Sequence, residues 1–298
     1  MQIDKLFQIL FSEQFKHRFE TIIIYLSVGG FLLHLALIGL HHLDIFTIRS
    51  GSDELFENPL AAIYTPFSFI LIFEVYLLIY FLPKSFTVSI GKQFEIISLV
   101  IIRRIFKDIS KIEFNGEWFA SSYNMQLTVD MLGFLTLFFL IFWFNRFSSK
   151  TIYVEENQDI RKFIRMKKTI AILLIPVLLV VTSLSFGGWI FEVQQLNANI
   201  IQEARDINSI FYHEFFSILT MVEVFILLIS LKYTHDYSQL IRNSGFVVST
   251  VLLRISFSAD GILNVALIIS SAAFSVAVLY LYNKIVLVKR KSEVGEEM

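Results

Sequence analysis

Residues 67–81 read FSFILIFEVYLLIYF, and residues 216–230 read FSILTMVEVFILLIS. The two stretches are near-copies. Phe67, Ser68, Glu74, Val75 and Leu78 align with Phe216, Ser217, Glu223, Val224 and Leu227 at one constant offset. Each stretch is apolar enough to lie in a hydrocarbon core, and each carries one acid near its middle. A carboxyl group at that depth is costly unless it is partnered or neutral, so an intramembrane acid points to a functional site. A duplicated acid implies that the site was repeated along with the helix.

Working outward, apolar stretches of roughly 20 residues recur along the chain, the length that crosses a core of about 30 Å. The chain has 298 residues, of which 55% are hydrophobic and 17% charged, with 32 Phe and a mean hydropathy of +0.66. That composition excludes a disordered chain and an ordinary soluble domain. A net charge of −1 gives nucleic acid no footing as a partner, and the absence of Cys removes disulfides and thiolate chemistry. The N-terminus does not read as a cleavable signal. Ile3, Leu6, Phe7, Leu10, Phe11 and Phe15 recur at helical spacing among Lys5, Lys16 and Arg18. This pattern predicts an amphipathic interfacial helix over 1–19.

Six spans are clear, at about 21–40, 62–83, 129–147, 169–190, 211–231 and 261–283. Two more segments, about 87–108 and 238–257, have apolar cores of only about ten residues and on hydropathy alone read as interfacial or re-entrant. The distribution of basic residues favours eight spans. With eight, both termini are cytoplasmic, and most of the 25 Lys and Arg fall inside, including Arg161, Lys162, Arg165, Lys167, Lys168 and the tail Lys289, Arg290, Lys291. With six spans and two re-entrant segments, the most basic loop lands outside. If both short segments span, their polar residues must face protein.

The predicted fold is therefore an all-α polytopic membrane protein, with about eight transmembrane helices as two parallel-oriented four-helix repeats. The first four-span unit covers 20–147, a basic cytoplasmic linker covers 148–168, the second unit covers 169–284, and a cytoplasmic tail covers 285–298. Arg104 answers Arg254 with one residue of slippage, and Asp130 and Asp260 each open the last span of their half. An even number of spans per unit relates the halves by a pseudo-twofold along the membrane normal. The chain is in effect a fused parallel dimer. Further oligomerisation is left open.

Residues 211–283, from FYHEFFSILTMVEVF to SVAVLYLYN, resemble the core of the phosphate-starvation-inducible protein E (PsiE) family. Its members are four-span prokaryotic membrane proteins with an acid in the second span, a basic residue after it and an Arg closing the third. Glu223, Lys232 and Arg254 stand at those places, and Glu74, Lys84 and Arg104 fit more faintly over 60–147. The chain departs from the family pattern by carrying two copies. The resemblance implies a prokaryotic plasma (inner) membrane protein linked by name to phosphate starvation, and it brings no biochemical activity with it.

Glu74 and Glu223 lie about 12 residues from the outer ends of their spans, about 18 Å deep at 1.5 Å per residue. Arg104, Arg254, Asp130 and Asp260 are the expected counter-charges, each Arg forming a polar cluster with the Asp of its half and reaching towards the Glu. Two readings stand beside each other: a proton or ion relay, and a buried structural pair that fixes helix register. A voltage sensor needs arginines at every third position, and adjacent Arg103 and Arg104 do not supply them. His41, His42 and Asp44 read as interfacial polar residues, and Trp and Tyr near span ends as an aromatic belt. No metal site, cofactor or catalytic motif is predicted, and the chain does not read as an enzyme. The expected partners are the lipid bilayer and a small ion or solute of undetermined sign. The competing function is a non-transporting regulator or scaffold in a stress response. Water separates the two: a transporter needs a wet route to the glutamates, and a scaffold keeps them dry and paired.

Overall fold

The computed structural model describes residues 2–43, 59–109, 118, 121–149, 158–195, 207–233, 236–259 and 261–296. It is all-helical, with no strand among the described residues. The elements are α1 Gln2–Leu10, α2 Glu13–His42, a 3-10 turn Pro59–Ile63, α3 Tyr64–Phe81, α4 Phe86–Ile109, α5 Ser122–Ser148, α6 Gln158–Gln195, α7 Ile207–Tyr233, α8 Tyr237–Ser256 and α9 Gly261–Glu296.

Four helical stretches are long and apolar enough to cross a membrane: Asp4–His42, Ser122–Ser148, Phe215–Tyr233 and Gly261–Lys289. Their outward faces are greasy. Ile22, Leu26 and Leu33 on α2, Leu132, Leu135 and Phe139 on α5, and Met221, Phe225 and Leu228 on α7 are all exposed. The interior holds polar side chains, including Glu74, Arg103, Asp130, Lys167 and Glu223. A soluble protein arranges these the other way round, and exposed apolar surface on this scale needs a hydrocarbon partner. Four apolar helices of spanning length and this greasy surface are what a membrane-embedded protein presents.

The two short-cored segments form continuous helices. α4 has 24 residues and α8 has 20, so at 1.5 Å per residue they run about 36 and 30 Å. Their low hydropathy has a plain cause. Thr87, Ser89, Gln93, Ser98 and Arg103 of α4, and Ser238, Asn243, Ser249, Thr250 and Ser256 of α8, are buried in protein.

The expected interfacial helix is in two pieces. α1 ends at Leu10, and the Ser12 hydroxyl accepts from Phe15 N at 3.1 Å, capping α2, which then runs unbroken into the first span. The last span of the first half also begins earlier than hydropathy indicates. α5 starts at Ser122, which places Asp130 inside the helix and fully buried, not at its mouth.

The chain divides into two compact units that cut across the sequence repeats. The first comprises Met1–Tyr80, Val100–Thr128 and Ile172–Glu214, and the second comprises Phe81–Leu99, Val129–Ala171 and Phe215–Met298. In the first, α1 and the start of α2 are tied to α3. Tyr76 OH donates to Leu10 O at 2.9 Å, and Tyr80 OH donates to Glu13 Oε1 at 2.6 Å. Phe11 packs against both rings, stacked on Tyr76 and tilted to Tyr80. Farther along, His34 Nδ1 lies 2.6 Å from Thr65 Oγ1.

In the second unit, α8 and α9 form a tight hairpin. Ser249 Oγ donates to Ser271 O at 2.7 Å, Ser271 Oγ donates to Ser249 O at 2.8 Å, and Ser275 Oγ donates to Ser249 Oγ at 2.7 Å. Small residues allow this approach, as is usual between helices in lipid. The turn closes through Gly261 at φ 59, a conformation that glycine adopts without a Cβ clash. Asn264 Nδ2 donates to Ser256 O at 2.6 Å across the same corner.

Candidate functional site: two buried acids with different partners

In the first unit, α3 presents Glu74 and α4 presents Arg103. Arg103 Nη2 donates to Glu74 Oε2 at 2.8 Å, and both residues are buried. The expected counter-charge Arg104 is half-buried on the same helix, and the ion pair of Glu74 is with its neighbour Arg103. Successive residues on a helix point about 100° apart, so the two adjacent arginines leave α4 in different directions. Arg104 aligns with Arg254, whereas Arg103 aligns with Leu253, so the repeat alignment gives Arg103 no role as a counter-charge.

In the second unit, α7 presents Glu223, also buried. Its carboxylate accepts from Gln93 Nε2 of α4, and Thr250 of α8 lies beside it. Glu223 lines a cavity of about 10 Å³ together with Lys167, Ser89, Phe86, Ile90, Ile226, Val247 and Leu82, room for roughly one water. Lys167 comes from the start of α6, within the basic linker. It is 4% exposed. Its ammonium donates to the Lys84 carbonyl and lies 5.2 and 5.4 Å from the ring centroids of Phe86 and Phe163. Burial pushes its ionisation down to about 8, and the Glu223 carboxylate acts in the opposite direction.

The expected partner of Glu223, Arg254, is only half-buried in the last turn of α8, where its charge complements the helix C-terminus. Among the described residues it forms no ion pair. Glu223 has instead an amide and an ammonium, neither of which the repeat pattern indicates. Asp260 lies outside the described residues, as does Asp44. His41 and His42 end α2 with their rings 6.3 Å apart.

Three residues central to the site were missed in the sequence: Arg103, Gln93 and Lys167. For two of them a signal was present. Gln93 lies three residues after Ile90 and four before Ile97, on a stripe that is buried throughout. Lys167 lies four residues before Ala171, seven before Leu174 and eleven before Leu178, and all four are buried. Counted with the basic cluster it reads as a solvated charge; counted with its stripe it faces inward.

Fold and site together define a class, an all-helical protein with membrane-spanning-length apolar helices and ionisable groups buried in its interior. No protein-family model, curated protein or solved structure matches the chain.

Proposed function

We propose that the protein passes a small ion in a proton-linked manner, with Glu223 as the protonatable group. The observation that carries this reading is one cavity lined by a buried carboxylate and a buried ammonium from different helices. Such groups are costly inside a membrane protein, and they mark ion and proton routes when they border space for water. The two acids then have separate tasks. Glu74, paired with Arg103, holds the packing of its unit, and Glu223 exchanges protons.

The architecture that goes with this function is eight spans in two parallel PsiE-like units, both termini cytoplasmic, in a prokaryotic inner membrane. Support comes from α4 and α8, which are unbroken helices of spanning length where re-entrant segments would need a break. The resemblance over 211–283 supports the family reading and the link to phosphate starvation. The chemistry proposed is not enzymatic.

A second reading is favoured by one specific observation. Glu74 is 1% exposed and ion-paired, as a non-transporting regulator or scaffold would keep it. Flux measurements in proteoliposomes separate the two, using proton, potassium and phosphate gradients with wild type, Glu74→Gln and Glu223→Gln. Ion passage requires a wild-type flux that Glu223→Gln abolishes in a folded protein. Equal absence of flux in all three proteins, with wild type thermally stable, sinks this reading in favour of the scaffold.

A further inference from the structure

Lys167 belongs to the basic linker by sequence and to the Glu223 cavity by position. A solvated linker lysine would extend into water or lipid headgroups. This one is buried, hydrogen-bonded to a main-chain carbonyl, set against two aromatic rings, and shares a cavity with the intramembrane acid. A buried ammonium with so few acceptors is expensive to keep charged, so its proton is held loosely. The cavity has room for about one water between polar groups that can donate to it and accept from it.

We infer that Lys167, one cavity water and Glu223 form a proton-exchange path by which the intramembrane carboxylate gains and loses its proton at the linker end. The inference rests on Glu223 being the protonatable group of the proposed function. In the transfer, an N–H bond of the Lys167 ammonium breaks and its proton passes to the water. A proton of that water passes to a Glu223 carboxylate oxygen, leaving a neutral amine and a carboxylic acid. The amine then regains a proton from the linker side, and no further reactant is consumed.

The surroundings leave the pair to titrate against each other. α7 brings Glu223, the one titratable side chain that acts on Lys167 among the described residues. α4 brings Phe86, Ser89 and Ile90, α8 brings Val247, and the turn before α4 brings Leu82 and the Lys84 carbonyl. Burial sets Lys167 near 8, where an amine exchanges protons at physiological pH far more readily than a surface lysine.

The test uses the full-length protein in liposomes and nanodiscs. Side-chain nitrogen NMR, with the resonance assigned through Lys167→Gln, is expected to show one lysine titrating near 8. That midpoint should fall further in Glu223→Gln, where the opposing carboxylate is gone. A Lys167 that titrates in the ordinary lysine range, or that is unmoved by Glu223→Gln, overturns the inference whether or not the protein conducts. Proton flux adds a second arm. Arginine keeps the positive charge but does not release its proton in the physiological range. Lys167→Arg and Lys167→Gln are therefore both expected to lower flux at least tenfold. Full flux in a folded Lys167→Arg protein means that the charge alone matters and no relay runs through this residue. If wild type carries no flux, the conduction reading fails by itself, and the NMR titration still decides the pair.

Discussion

Arg103 Nη2 donates to Glu74 Oε2 across 2.8 Å, with both side chains removed from solvent. Removing one member takes the close counter-charge from the other, whereas replacing both with apolar residues removes the desolvation cost too. Glu74→Leu and Arg103→Met are each expected to destabilise by about 3–5 kcal/mol, and the double variant by much less. A double-mutant cycle on detergent-solubilised protein checks this. Strictly additive losses would show that the two do not act as a pair.

Stability should depend on pH through Lys167. Its folded value is lowered to about 8 from an ordinary 10.5, so between these values the unfolded chain binds more protons than the folded one. Stability therefore rises with pH across that window, and the cost of the buried charge is fully present below it. Thermal melts of wild type and Lys167→Met from pH 7 to 10.5 should show wild type gaining on the variant, by on the order of 1–3 kcal/mol. A gap that stays constant with pH would mean Lys167 titrates normally.

Gly133 is a contact point between α5 and α9. A Cβ built there would collide with Val265 Cγ1, so even alanine forces this contact to shift. Gly133→Ala should cost about 1–3 kcal/mol, and Val265→Ala in the same protein should recover part of the loss. No recovery would place the strain elsewhere.

Ser249 serves two partners through one hydroxyl, Ser271 and Ser275. Ser249→Ala is expected to cost about 1–2 kcal/mol, near the upper end for polar contacts between membrane helices. Thr136→Ala is the control, because that exposed hydroxyl bonds only to Leu132 O of its own helix. Equal losses in the two variants would show that the hydroxyls of α8 and α9 contribute nothing beyond local back-bonding.

Much of the helical layout was legible in the sequence. The long apolar runs became α2, α3, α5, α6, α7 and α9, and the two acids near the middle of theirs are buried. Hydropathy misjudged the limits of α5, because residues 122–128 are polar yet helical. It also undersold α4 and α8, since it scores a buried serine or glutamine as though it faced lipid. The partners of the acids were the least legible part. A repeat alignment pairs residues that are equivalent, such as Arg104 with Arg254, whereas a charge pairs with whatever faces it in space. Gln93 and Lys167 could be reached only by following buried stripes along α4 and α6, and nothing in the sequence sets Arg103 apart from Arg104.

The serine contacts between α8 and α9 and the close approach of Gly245 to Val278, where a Cβ would fall 2.9 Å from Cγ2, leave no gap between these helices. Helices joined so closely travel as one lever. Any widening of the space beside Glu223 must then come from α4, α6 or α7 moving against that lever. Under the proposed ion passage, a crosslink within the α8–α9 hairpin should leave flux untouched, whereas a crosslink from the hairpin to α4 should stall it.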